Sequence, residues 1–363
     1  MVIGSGTLVE AQCLFLCGVY MMTSFQRHVA WKFFIQTLAC CQSFKFLRDL
    51  STGKGRLSAF PQGNDYPTYD TQTQQSLQAE QAIYWSAWKS ERELREDIQA
   101  PDFAPSKTEL AIYPPFFPTP PLLQDRSATR TGLVGLEYRQ QISWYFYLSE
   151  ISLRRLLSRI TNQIVQFRPS GVPLLEGLAQ MTVVHEAQAE EWALALPQIL
   201  SLDCHPEEDE ICRFVLRGHL INLYELIYWP FVYAAVNNAD FDSEKQPAPQ
   251  SSVLIRSLCR KGLQKHVERL WVNRPGFKHR HHGTPALLRS CSRSALVLVA
   301  AAASIQTRLR QGLSSSFTMP HGWRQAVLWA VEMNEFWEGE STDSQYLAGL
   351  LKVAWGKVEP SNL

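Results

Sequence analysis

The chain has 363 residues, 45% of them hydrophobic and 19% charged, and its 35 Lys and Arg against 34 Asp and Glu leave a formal charge of +1. That length suffices for two or three domains and a large apolar core without disulfide or metal staples. The near-neutral balance argues against a free-standing nucleic-acid binder, which needs a basic excess to neutralise phosphates, and 19 Gly and 20 Pro are too ordinary for a disordered or fibrous chain.

Residues 1–22 have no positive n-region, and Glu10 and Gln12 stand beside the apolar run, so the segment makes a poor secretory signal. The run from Ala11 to Met22 is 12 residues, short of the roughly 20 that cross a bilayer as a helix. Two antiparallel helices before residue 50 can form one hairpin. The stretch 51–76 is polar and rich in Gly and Gln and reads as a connection. Residues 101–132 hold seven of the 20 prolines, so they cannot be helical throughout and are predicted to lie as an extended strap. The expected organisation is an N-terminal helical part at 1–100, this Pro-rich connection at 101–132, and a C-terminal helical part at 133–358.

From Ile142 the positions Phe146, Ser149, Leu153, Leu156, Ile160 and Ile164 recur in steps of three and four, with Arg154, Arg155 and Arg159 on other faces, which predicts an amphipathic helix. A Pro-led start at Val172-Pro173 opens the next helix. A longer one is expected from Glu208 to Val236, kinked at Pro230. Between Leu220 and Tyr233 it is apolar on nearly every face, as a fully surrounded element would be. The segment 239–250 reads as a loop. At Thr284-Pro285 the hydroxyl can cap free amides and Pro suits the first helical position; the seam that follows is Leu288, Cys291, Ala295, Leu298, Ala302, Ile305 and Leu309. Met319-Pro320 marks another start. No alternating runs are joined by an Asn-Gly or Asp-Gly turn, so the fold class is all-α. No segment reads as transmembrane: Leu220–Tyr233 holds Asn222 and Glu225, and Ala295–Ala303 is too short.

Chemical motifs fail one by one. His185-Glu186 opens a zinc-protease pattern, but Ala189 stands where the second His belongs. Gly53-Lys54-Gly55-Arg56 lacks the spacing and hydroxyl of a phosphate loop, and Ser290, Ser292 and Ser294 lie on a predicted helix outside any nucleophile elbow. The 11% aromatic content brings terpene cyclases to mind, whose paired carboxylates hold magnesium. The acidic run Glu207-Glu208-Asp209-Glu210 is better placed to stabilise a helix N-terminus. Cys13 with Cys17, and Cys204-His205 with Cys212, lack the second tight pair of a structural zinc site and are expected as buried free thiols, and the scatter of all eight cysteines through apolar-periodic segments fits reduced thiols in the cytosol or nucleus. Lys278-His279-Arg280-His281-His282 can contact phosphate or an anionic partner, but is expected as a solvated loop ahead of the cap at Thr284. No catalytic, cofactor-binding or metal-ligating residue is assigned.

Charge is nonetheless segregated. Residues 251–293 carry ten Lys and Arg against the single Glu268, whereas Trp329–Asp343 carries five acids and no base. The two segments can face each other within the fold or meet opposite partners. The acidic segment interleaves Trp329, Phe336 and Trp337, as acidic-hydrophobic activation segments do; a packed amphipathic helix explains it equally simply.

The runs ISWYFYLSEISLRRLLSRI at 142–160, FVLRGHLINLYELIYWPFVYAAV at 214–236, HRHHGTPALLRSCSRSALVLVAAA at 279–302 and PHGWRQAVLWAVEMNEFWEGES at 320–341 resemble, in that order, the C-terminal regulatory region of fungal zinc-cluster transcription factors. The segments 8–42 and 80–98, followed by FPTPPL at 117–122, look like the middle homology region of the same family. The resemblance implies an all-helical regulatory domain with a Pro-rich strap, residence in the nucleus, and control of pathway or secondary-metabolism genes through proteins of the transcription machinery. One departure is large. The six cysteines of the family's DNA-binding motif have no match, since Cys13 and Cys17 alone precede residue 40, so neither zinc nor direct DNA reading carries over. The coiled coil that serves dimerisation is missing too, which leaves a homo- or heterodimer open, and the chain starts as though partway into the regulatory region. A transcription regulator without its DNA-binding module, and not an enzyme, is therefore expected; the alternatives are an all-α aromatic-lined enzyme such as a cyclase, or a helical scaffold with no transcriptional role.

Overall fold

A computed structural model describes residues 6–51, 71–99, 120, 131–168, 173–237, 249–313 and 317–359. Among these there is no strand, and eleven α-helices account for most of them, as the helical periodicity requires. Two compact units are formed by Met1–Leu148 with Arg280–Pro285, and by Ser149–His279 with Ala286–Leu363.

In the first unit, α1 (Leu8–Thr23) and α2 (Arg27–Cys41) form the expected hairpin, followed by the short α3 (Lys45–Ser51) and by α4 (Thr71–Ile98). Thr7 caps α1 by accepting the Glu10 amide. Phe25, at φ 60°, turns the chain between the two helices. Ala11 packs beside Cys41 and Ile83, and Met22 beside Ala30 and Leu94, so α1 runs antiparallel to α2 and parallel to α4. Gly18 lets α1 approach the Phe34 ring, which a Cβ there would meet at 2.5 Å. On the α2–α4 side, Trp31 donates to Glu91 at 3.1 Å, Arg95 pairs with the same carboxylate, and Arg27 pairs with Asp97. Residues 71–76, expected in a loop, open α4 instead, because Gln is a good helix former once a neighbouring apolar face anchors the helix. Residues 52–70 of that expected loop, and the strap apart from Pro120, Thr131 and Gly132, lie outside the described residues.

The helix predicted from Ile142 is α5 (Thr131–Gln166), which begins earlier and contributes to both units. Its seam residues Ser149, Leu153, Leu156 and Ile160 are buried, and Arg155 and Arg159 are exposed. The second unit continues with α6 (Leu174–Leu194), α7 (Ile211–Val236), α8 (Pro249–Asn273), α9 (Thr284–Arg310), α10 (Trp323–Trp337) and α11 (Thr342–Val358). Side-chain pairs set their directions. Gly262 lies against Tyr228 and Val232 while Arg269 reaches Glu225, making α7 and α8 antiparallel; Ser294 meets Glu225 and Ser304 meets Ala235, making α9 parallel to α7.

Several expected details shift. A 3-10 turn at Pro206–Glu208 precedes α7, which runs on through Pro230. It is not surrounded on all sides: Trp229 and Tyr233 are 45% and 57% exposed, so aromatic content near its end overstated burial. The Pro at 249 opens α8, where its missing N–H costs nothing. In α9 the Thr284 hydroxyl accepts the His281 amide rather than one downstream, and the predicted seam is buried from Leu288 to Ala302 but ends with Leu309 exposed. α10 starts three residues after Pro320, at an N-cap Gly322 whose φ of 75° suits a residue without a Cβ. An 18-residue window of α9 reaches a mean hydropathy of 1.4, enough by length and composition for a membrane span, and 56% of that window is buried inside the protein. A core helix satisfies the same criterion.

Candidate functional site

The polar centre of the second unit lies where α7, α8 and α9 meet. Glu225, 7% exposed, accepts from Arg269 through both carboxylate oxygens at 3.1 Å, from Arg293 at 3.0 Å and from Ser294 at 3.0 Å, with His266 Nδ1 at 3.3 Å. Arg269 also donates to Asn222 and to the Gly218 carbonyl. Burial alone would raise the Glu225 pKa. The Arg269 guanidinium and His266 overcome that and hold the carboxyl well below the usual carboxylate range. Ser294, His266 and Glu225 are the residue types of a hydrolytic triad, but a single ring nitrogen, Nδ1, faces both partners and Ser294 is fully buried. A triad needs both imidazole nitrogens in line and a nucleophile that substrate can reach. The arrangement is an ion network that locks three helices. In the sequence Glu225 only interrupts an apolar stretch, because its partners lie more than 40 positions away.

A second polar cluster joins α6, α7 and α8. Glu186 accepts from the Tyr228 hydroxyl and from Lys261 Nζ at 2.7 Å, while Tyr224 stacks on Tyr228 at 6.0 Å and Lys265 lies over the Tyr224 ring at 4.5 Å. Burial, then the Glu186 bond, push the Tyr228 hydroxyl pKa strongly up. Adjacent His185 points elsewhere, to Gln163 at 3.0 Å. The two residues of the failed zinc-protease pattern thus serve different clusters.

The acidic run does not converge. Glu207, Glu208 and Glu210 are exposed, whereas Asp209 turns inward and forms a two-pronged ion pair with Arg217 at 2.6 and 2.9 Å. Arg217 also donates to the carbonyls of Leu202 and Cys204, so this pair fastens the connection ahead of α7 onto the helix. All eight cysteines are free. Cys41, Cys259 and Cys291 are buried, and burial pushes each thiol up to about 12, whereas Cys204 and Cys212 are half-buried. Cys13 and Cys17 correct the expectation: both are exposed, because α1 packs through Ala11, Gly18 and Met22 instead. Cys204 lies 3.3 Å from Asp209, and His205 packs edge-on against Trp271. Ser290 and Ser292 bond back to helix carbonyls. Within 278–282, four residues are exposed and His281 is half-buried, its Nδ1 accepting the Gly283 amide. Gly53–Arg56 lies outside the described residues.

The basic and acidic segments touch within the second unit through one ion pair and two cation–ring contacts. Arg289 pairs with Asp343 at 3.8 Å, Arg274 lies 4.8 Å over the Trp329 ring, and Lys278 stands over Phe336 at 5.8 Å. Other bases of the segment are taken up by Glu186, Glu225 and Glu268. α10 is a packed amphipathic helix: Trp337 is buried and donates to the Phe277 carbonyl at 2.8 Å, leaving Glu332, Glu335, Phe336 and Glu338 on its outer edge.

No protein family, curated protein or solved structure matches this chain.

Proposed function

We propose that the chain is a transcription regulator: the regulatory region of a fungal zinc-cluster-type factor. It acts in the nucleus through protein contacts and controls a pathway or secondary-metabolite gene cluster. The observation that carries this reading is the collinear series of sequence blocks with the character of that family. Its blocks coincide with helices: 8–42 with α1 and α2, 80–98 with α4, 142–160 with α5, 214–236 with α7, 279–302 with α9 and its leading loop, and 320–341 with α10. FPTPPL at 117–122 lies outside the described residues except for Pro120. The outer edge of α10 exposes Glu332, Glu338 and half of the Phe336 ring beside Lys278 and the Glu335–Lys352 pair at 2.6 Å, a mixed apolar and charged surface for a partner of the transcription machinery. The aromatic-lined enzyme needs the carboxylates of 207–210 to converge, and three of them face solvent.

Fusing the full chain to a heterologous DNA-binding domain in a reporter strain tests the reading. Activation or repression relative to the DNA-binding domain alone is expected, and its loss in Phe336→Ala assigns it to α10. A fusion indistinguishable from the unfused domain would favour a plain helical scaffold. Stoichiometric, tightly bound zinc together with specific operator binding by the purified 363-residue chain would overturn the reading of these residues as a regulatory region alone.

A further inference from the structure

One face of α1 is packed and the opposite one is open. Ala11, Gly18 and Met22 are buried within the first unit, whereas Val9, Gln12, Cys13, Leu16, Cys17 and Tyr20 are exposed. Val9, Leu16 and Tyr20 keep 65%, 63% and 65% of their surface in water. Steps of four, three and four separate Val9, Cys13, Leu16 and Tyr20, so these side chains lie in one stripe along the helix. That is the spacing of a heptad seam, with Cys13 and Tyr20 at a positions, Val9 and Leu16 at d positions, and Gln12 and Cys17 on its flanks. Exposed apolar side chains scattered singly need no explanation, but a continuous stripe of them marks a contact surface.

Charge, shape and area together select a second copy of the chain as the occupant. The stripe carries no charge. Glu10 is the sole charged residue of α1, and its carboxylate turns back to accept the Gly6 amide at 3.1 Å, so two such faces meet without like-charge repulsion. The stripe is also complementary to itself under a twofold axis. An antiparallel pairing centred between Leu14 and Phe15 sets Tyr20 against Val9 of the second copy and Leu16 against Cys13, a large side chain facing a small one in every layer. It carries the two Glu10 side chains to opposite ends of the seam, whereas a parallel pairing would set Tyr20 on Tyr20 and bring the two Glu10 to one end. The exposed residues offer on the order of 500 Å² per copy, so the pair covers about 1,000 Å² in total, the lower limit of a specific interface and the range of weak, reversible association.

We propose that the outer face of α1 is a homodimer interface, in which two copies of the helix pack antiparallel about a twofold axis near Leu14 and Phe15. This concerns self-association alone and does not depend on a role in transcription. The test is analytical ultracentrifugation of the full chain, in reducing buffer and at rising concentration. A reversible monomer–dimer equilibrium with a Kd of about 10–100 μM is expected for an interface of this size. Leu16→Glu puts a carboxylate in the middle of the seam and should weaken the dimer about tenfold or more. Leu194→Glu, the same change at an 82% exposed leucine of α6, should leave it unaltered. Both variants should keep the parent's thermal midpoint, since both side chains are exposed. Adding Cys13→Lys to Leu16→Glu sets lysine against glutamate in the antiparallel register and should recover most of the lost affinity. Thiol labelling of Cys13 in the parent chain should slow as the dimer forms. A chain that stays monomeric, a dimer weakened equally by the two Leu→Glu changes or by neither, or a double variant no better than Leu16→Glu alone would overturn the proposal. So would monomers that bind phosphatidylcholine vesicles and lose that binding in Leu16→Glu, which would assign the face to lipid.

Discussion

Replacing Arg269 by Met removes the guanidinium that balances Glu225 and leaves the carboxylate inside the core. The two side chains are 4% and 6% exposed, so water cannot take the lost partner's place. Breaking such a buried pair from one side costs ~3–5 kcal/mol. Arg293 reaches the same carboxylate at 3.0 Å, but its side chain is 61% exposed. Solvent screening limits its contribution to less than ~1 kcal/mol, so Arg293→Met should be mild. Glu225→Met combined with Arg269→Met removes both charges and should lose less than Arg269→Met alone, since no uncompensated carboxylate remains. Urea unfolding of the full chain gives the size of each change, and hydrogen exchange in α7, α8 and α9 locates it. Equal losses in Arg269→Met and Arg293→Met, or a double variant as unstable as the two singles added together, would refute the reasoning. The network also sets an acid limit. The Glu225 pKa is lower folded than unfolded, so in acid the unfolded chain binds more protons. The stability this contributes is present above the ordinary value of 4.5 and is lost as the pH falls below it. Glu225→Gln should therefore flatten the decline in stability below that pH.

Three further outcomes can be measured directly. A Cβ at Gly262 would meet Val232 at 2.6 Å and Tyr228 at 2.9 Å, whereas one at exposed Gly349 meets nothing within 4 Å; by thermal melting, Gly262→Ala should destabilise by ~1–3 kcal/mol and Gly349→Ala should stabilise by ~0.5–1 kcal/mol. Trp337→Phe removes the donor to the Phe277 carbonyl and should cost ~1–3 kcal/mol, with faster hydrogen exchange in α10. In a thiol-labelling time course near pH 8, exposed Cys13 and Cys17 should react first. Cys41, Cys259 and Cys291, buried and pushed up to about 12, should react only on unfolding.

Periodicity made the helices legible. Leu153, Leu156 and Ile160 in α5, and Leu288, Cys291, Ala295 and Leu298 in α9, are buried where steps of three and four put them. Boundaries were less legible where polar residues such as Gln72, Gln74 and Gln75 continue a helix, because helix propensity does not require an apolar residue. The candidate site was nearly invisible. His185 drew attention beside Glu186, yet its partner Gln163 lies 22 positions earlier on another helix, and Glu225 looked like a defect in an apolar run until Arg269 appeared 44 positions away. Cys13 and Cys17 look like core residues by type and lie on the outer face of α1.

Local order along the chain thus determined the helical class, the helix faces and the segregation of charge, since those follow from spacing and short-range backbone preference. Which face became core and which charges were neutralised depended on packing between helices distant in sequence. The basic segment around 251–293 and the acids after Trp329 look, in one dimension, like two surfaces awaiting partners. In three dimensions Arg289 faces Asp343 and Arg274 covers Trp329, while Arg269 is drawn into the core by Glu225. The reason is physical: the sign and number of charges are properties of the chain, but the energy of a charge depends on its distance to others and on the water between them, and both are set only when the helices pack.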